Sequence, residues 1–107
     1  MSSSTDANLD WLQRFYASMC NGDWEHSYGF FIENIDNPGW SFAFELSDTF
    51  LEGQPYEPAT LHKSDVDWVI TKVEEDRWIG YGGALNLDEI IGHFRQWAES
   101  ELQRQGL

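Results

Sequence analysis

The adjacent pair Glu25-His26 is the part of this chain that most resembles a catalytic group. A carboxylate beside an imidazole can transfer protons or bind a metal ion, and Asp36 could add a second carboxylate. Neighbouring residues on an extended backbone point to opposite faces, however, so the pair would not converge. His62 and His93 lie far away in sequence and share no ligand spacing with His26. An enzyme or metal protein using Glu25, His26 and Asp36 is therefore the weakest of three functional hypotheses.

The rest of the sequence contains no motif typical of catalysis or phosphate binding. H-E-x-x-H, G-x-S-x-G, P-loop and G-x-G-x-x-G patterns are all missing. The glycine-rich run Gly80–Gly83 lacks the Lys or Ser/Thr of a phosphate loop, and we interpret it as a bend before a helix. Cys20 is the only cysteine, so the chain can form neither an internal disulfide nor a cysteine-based zinc site. We expect no catalytic residue, no metal and no cofactor.

The charge balance separates the remaining classes of function. Nineteen acidic residues face six Lys and Arg, which gives a formal net charge of −13. This charge disfavours nucleic acid and anionic membranes as partners and favours a basic protein, although solubility alone is an alternative explanation. Residues 1–8 lack the basic and apolar regions of a signal peptide, and no apolar run approaches the roughly 20 residues of a membrane span. We therefore expect a cytoplasmic protein.

An aromatic β-hairpin over residues 28–46 is the clearest structural signal. Large apolar residues occupy every second position from Trp40 to Leu46, as in a strand with one buried face. Between the two arms, Pro38 presets φ, and Gly39 can supply the positive φ that a type II turn needs next. We therefore predict a type II turn, with Glu45 exposed on the polar face of the second arm.

Helical patterns lie on both sides of the strands. The first helix is predicted from an N-cap at Thr5 or Asp6 to about Cys20, with Leu9 on its apolar stripe. The last begins at Asn86, whose spacing to Glu89 resembles a capping box, and is expected to fray over residues 99–107. Residues 23–27 are predicted to be a link, and further strands to cover residues 56–63, 68–73 and 77–81.

Helix, strands and helix in this order predict an α+β fold. We expect an antiparallel β-meander of about five strands packed against an N-terminal and a C-terminal helix. We assign residues 1–107 to a single domain with flexible tails at 1–5 and 100–107. Six Trp, four Tyr and seven Phe are many for this length. They either fill a thin two-layer core or lie partly at the surface.

Several short strings occur in a distinctive order from about Leu9 to Glu99. They are Trp11-Leu12-Gln13, Asn21-Gly22-Asp23-Trp24-Glu25-His26, Asp36-Asn37-Pro38-Gly39-Trp40, Asp67-Trp68, Gly82-Gly83 and Phe94-x-x-Trp97. Together they resemble the immunity protein 53 family of bacterial polymorphic-toxin systems. The resemblance implies a cytoplasmic antidote without enzymatic activity or cofactor, which binds a cognate toxin domain. Phe30-Phe31 departs from the polar alternation expected in the first strand and leaves open which face of this strand is buried.

We predict that the partner surface is acidic and lies around the hairpin. Asp23 and Glu25 flank a tryptophan, an aromatic-plus-charge cluster of the kind that anchors interfaces. The alternative for Glu25 is an internal cap or salt bridge. A generic acidic interaction domain is the second functional hypothesis, and the oligomeric state stays open. The predicted partner-binding residues are Asp23, Trp24, Glu25, Asp36, Glu45, Asp48 and Glu57.

Overall fold

The computed structural model describes residues 4–107, with side chains from Ala7 onward. Within this part the chain forms three helices and five strands, and the predicted α+β fold is confirmed. In chain order they are α1 (Ser4–Met19), α2 (Trp24–Ser27), β1 (Phe30–Ile35), β2 (Gly39–Glu45), β3 (Ala59–Ser64), β4 (Asp67–Glu74), β5 (Arg77–Gly82) and α3 (Leu87–Gln105).

The strands form one antiparallel sheet in the order β1-β2-β5-β4-β3. The chain makes the β1–β2 hairpin, continues through residues 46–58, and returns as a β3–β4–β5 meander that ends beside β2. This connection places β5 rather than β3 next to β2. Phe44 of β2 is therefore paired to Phe30 of β1 on one side and to Trp78 of β5 on the other.

Both long helices lie on the same side of the sheet, which we call the covered face. Phe94 of α3 stacks on Phe44 of β2 with ring centroids 4.8 Å apart, and Phe15 of α1 lies edge-on to Phe94. Phe42, Phe44 and Phe94 are fully buried. The predicted alternation in β2 is confirmed, because its large side chains all point into this core. The opposite side, the open face, is covered by no element of the described chain.

The β1–β2 turn differs from the type II prediction. The Asn37–Pro38 peptide bond is cis, and Gly39 has no positive φ and already belongs to β2. A Cβ atom at Gly39 would instead collide with the carbonyl oxygen of Gly82 in β5. The glycine is therefore required by the close approach of a neighbouring strand and not by a left-handed backbone.

The helix boundaries also differ from the sequence prediction. Thr5 and Asp6 lie inside the first turn of α1, and the residue that would cap it lies outside the described part of the chain. Leu9, expected on the buried stripe, is 58% exposed, because the buried side of α1 runs through Leu12 and Phe15. Residues 24–27, predicted as part of a link, form the short helix α2.

The last helix is longer than predicted. Asn86 occupies the N-cap position, but its side-chain amide donates to the carboxylates of Asp67 and Glu89 and does not cap the helix backbone. α3 continues to Gln105 and ends at Gly106 in the left-handed conformation, so the predicted fraying from residue 99 is wrong. Glu101, in the last turns, is buried and bonded to Arg104.

Candidate partner-binding surface

Acidic residues gather at one end of the sheet, where β2 and β4 end and β5 begins. Glu45 and Glu74 both lie opposite Arg77 in the strand register. The backbone N–H of Leu46 donates to the carbonyl of Asp76 at 2.8 Å, which joins the β4–β5 turn to the segment after β2. We call this region the acidic end and define it by Asp23, Glu25, Glu45, Asp48, Glu52, Glu74, Glu75 and Asp76.

The helix α2 brings Asp23 to the acidic end through its tryptophan. The Trp24 ring lies 5.8 Å from that of Phe44, and its Nε1–H donates to the carbonyl of Ser47 at 3.0 Å. Only 3% of Trp24 is exposed, so its ring is not available to a partner in this conformation. In this conformation Trp24 positions α2, and its contact with a partner stays a prediction. Asp23 and Asp48 remain exposed, and both line a surface cavity of about 350 Å³.

Glu25 closes the turn between α1 and α2. Its two carboxylate oxygens accept hydrogen bonds from the backbone N–H groups of Asn21 at 2.9 Å and Gly22 at 2.8 Å. The hydrogen bond from its own backbone N–H, followed by these two, lowers the pKa of Glu25 below its ordinary value. The structure therefore shows the internal-cap alternative for Glu25, because its carboxylate is hydrogen-bonded to backbone N–H groups of the turn.

Glu45 is less exposed than predicted. Only 18% of its side chain is accessible, because one carboxylate oxygen accepts the Gly29 N–H at 2.9 Å and the other lies 3.6 Å from the Arg77 guanidinium. Its charge still contributes to the acidic end, but the carboxylate also fixes the start of β1. The prediction of a freely exposed Glu45 failed because alternation places a side chain on a face without specifying its neighbours.

The two other predicted contacts lie elsewhere. Asp36 is in the β1–β2 turn at the opposite end of the hairpin, roughly 20 Å along the strand from Glu45 at about 3.3 Å per residue. Glu57 precedes the edge strand β3 and lines a separate cavity with His93 and Trp97 of α3. Both are exposed. Asp36 lies at the other end of the sheet, whereas Glu57 lies just before Ala59, whose partner Thr71 is three residues from Glu74 along β4.

The residues of the enzymatic hypothesis do not converge. The carboxylate of Glu25 is occupied by backbone donors, His26 is exposed, and Asp36 lies at the far end of the hairpin. Within residues 4–107 no group of three or more His, Cys, Asp or Glu side chains is arranged to hold a metal ion. In the same part of the chain, no helix combines the length and apolarity needed to cross a membrane.

Comparison with known protein families bears on the three functional hypotheses. Residues 9–99 match the family described as immunity protein 53. The chain belongs to this family. No curated protein and no solved structure matches the chain.

Membership of an immunity protein family suggests toxin neutralisation and implies a toxin as partner. For this immunity protein the acidic end holds eight carboxylates, and those of Asp23 and Asp48 are exposed. Sequence reasoning missed Glu74, Glu75 and Asp76, which the pairing of β5 with β2 brings to this end. It also missed Glu52, whose carboxylate accepts the Asp48 N–H at 3.0 Å. The sequence signal for three of them is the acidic run Glu74-Glu75-Asp76.

Proposed function

We propose that this immunity protein neutralises a cognate toxin domain in the cytoplasm by binding it directly. The observation that carries the proposal is the family match over residues 9–99. A toxin domain with a basic surface is the partner that a net charge of −13 favours, whereas nucleic acid and anionic membranes are disfavoured.

The acidic end is the proposed region of first electrostatic contact. Carboxylates concentrated on one surface raise the local field there, and such fields speed the association of oppositely charged proteins. Asp23 and Asp48 are the best placed members, because both are exposed and lie on one cavity. In this proposal Glu25 and Glu45 contribute charge while their hydrogen bonds keep the local backbone in place.

The proposal is tested by neutralising two charges at either end of the sheet. The first variant carries Asp23→Asn with Asp48→Asn; asparagine suits residue 48, whose φ is 62°. The matched control carries Asp36→Asn with Asp65→Asn, two exposed carboxylates in turns at the other end. Both variants have the same net charge, so any difference between them reports the location of the charge.

The probe is a candidate toxin domain chosen because its gene adjoins the gene of this protein. We expect the acidic-end variant to associate with that domain about 3- to 10-fold more slowly at low salt. Its association rate should also depend less on salt than that of the control. Equal rates and equal salt dependence for the two variants would show that the acidic end does not guide binding. A wild-type protein that neither binds nor protects cells against this toxin would contradict the proposed function itself.

A further inference from the structure

The open face of the sheet carries an apolar surface where a solvated sheet face normally carries polar side chains. Because side chains alternate along a strand, the neighbours of the buried Phe42, Phe44 and Trp78 point away from the helices. We define the open-face patch by its apolar members, which are Phe31, Ala43, Trp68, Ile70, Ile79 and Tyr81.

These side chains form a continuous surface across four strands. Phe31, Ala43 and Ile79 stand side by side in one row of the register. Tyr81 and Ile70 are paired in the next row, so the patch runs from β1 to β4. Phe31 is 51% exposed and Ile70 37% exposed. Contiguous apolar surface of this kind marks interaction sites more often than scattered single residues do.

Charged side chains lie around the patch. Glu33 is exposed on the same face in β1, and Lys72 pairs with Glu74 at 2.9 Å. The Arg77–Glu45 pair lies where the patch meets the acidic end. An apolar centre with a charged rim is the usual anatomy of a protein–protein interface.

We propose that the open-face patch is the central docking surface for the toxin domain, with the acidic end as its rim. This inference rests on the proposed function. Charge decides between a toxin and a second copy of this chain as the occupant. Two copies would bring net charges of −13 together, whereas a basic domain complements the carboxylates beside the patch.

The area of the open face indicates that a partner on the patch must also contact the acidic end. Five strands about 4.8 Å apart and about 20 Å long present a projected area of roughly 500 Å². A standard interface buries about 800 Å² on each partner. Even the whole five-stranded face falls short of this area, and the patch spans only four of the strands. A partner seated on the patch must therefore also contact adjoining surface. The acidic end adjoins it directly through Glu45 and Glu74.

The test removes two exposed apolar side chains from the open-face patch and, in a control, two exposed apolar side chains outside it. The docking variant carries Phe31→Thr with Ile70→Thr, which keeps a residue suited to strands at each position. The control carries Leu61→Thr with Leu85→Thr. Leu61 is 41% exposed in β3 on the helix side of the sheet, and Leu85 is 95% exposed in the loop before α3. None of these substitutions changes the net charge.

We expect the dissociation constant of the purified complex with the candidate toxin domain to rise about 30-fold or more for the docking variant. The control should change it by less than about 3-fold. Equal affinities for folded docking and control variants would overturn the inference while leaving the proposed function intact. Failure of the wild-type protein to bind would overturn both.

Side-chain footprinting of the wild-type complex gives a second measurement that needs no variant. Oxidation of Phe31, Trp68 and Tyr81 by hydroxyl radicals should fall when the toxin domain binds, while oxidation of Leu85 should not. Unchanged oxidation of all three would overturn the inference even if the docking variant does not fold. A wild-type homodimer that the docking variant converts to a monomer would also overturn it, because the occupant would then be a second copy.

Discussion

Phe30 and Phe31 are neighbours in β1, yet they belong to two different environments. Phe30 stacks on Phe44 with ring centroids 5.7 Å apart and an interplanar angle of 4°, whereas Phe31 is 51% exposed on the open face. The two faces of the sheet therefore both carry aromatic side chains, but only one is covered by helices. Apolar character alone does not say which face becomes the core; the position of α1 and α3 decides it.

The largest expected effect is on stability, and it compares the covered and open faces at two positions of the β1–β2 hairpin. Phe44→Ala removes a fully buried ring that contacts Phe15, Trp24, Phe30 and Phe94, and should lower the free energy of unfolding by about 3–5 kcal/mol. Phe31→Ala should cost less than about 1 kcal/mol, because the open face leaves no cavity behind. Urea unfolding of both variants measures the difference.

Phe44→Leu is the milder version should the alanine variant not fold, and it should still cost more than Phe31→Ala. Similar losses at both positions would mean that the open face is covered in solution. The distinction between the two faces would then be lost.

Much of the fold could be predicted from local patterns. The alternation from Trp40 to Leu46 placed β2 correctly, and the apolar spacing after Asn86 predicted α3. These signals are local, because a period of two or 3.6 residues is set by the backbone of one element. Phe30 and Phe31 are adjacent and both apolar, so alternation did not predict which of the two side chains is buried. The position of α1 and α3 on one side of the sheet decides it.

Less of the candidate site could be predicted, because it depends on pairings between distant segments. No local signal places β5 beside β2, and this pairing brings Glu74, Glu75 and Asp76 next to Glu45. Trp24 shows the same limit. Its flanking carboxylates suggested an interface, but only the tertiary structure shows that its ring packs on Phe44 and bonds Ser47.

The next prediction concerns the close approach of Gly39 in β2 to Gly82 in β5. A side chain there would collide with the Gly82 carbonyl in β5, so Gly39→Ala should cost about 1–3 kcal/mol of unfolding free energy. Gly39→Asn distinguishes the cause, since asparagine is the non-glycine residue best suited to a left-handed backbone. Close approach predicts that asparagine is no better tolerated than alanine in thermal unfolding. If the asparagine variant were clearly more stable than the alanine variant, residue 39 would have the positive φ of a type II turn.

The smallest effect concerns the buried charge on the covered side. Glu101 is 5% exposed and accepts hydrogen bonds from Arg104 and Gln105, while Gln105 also donates to the carbonyl of Phe50. The hydrogen bond from Arg104, followed by that from Gln105, lowers the pKa of Glu101 below its ordinary value of 4.5. The stabilisation from this carboxylate is therefore complete above about pH 4.5 and is lost as pH falls through the lowered pKa.

Glu101→Gln should flatten this acid limb of the stability curve, measured as the urea midpoint between pH 7 and pH 3. The matched control is Glu74→Gln on the open-face rim, where the carboxylate is 56% exposed and pairs with Lys72 in solvent. Both substitutions remove one negative charge, so general repulsion among the nineteen acids changes equally. Exposed ion pairs contribute little to stability, so the control should keep the wild-type slope. Equal slopes for the two variants would mean that the buried Glu101 carboxylate stabilises the fold no more than the exposed Glu74 carboxylate does.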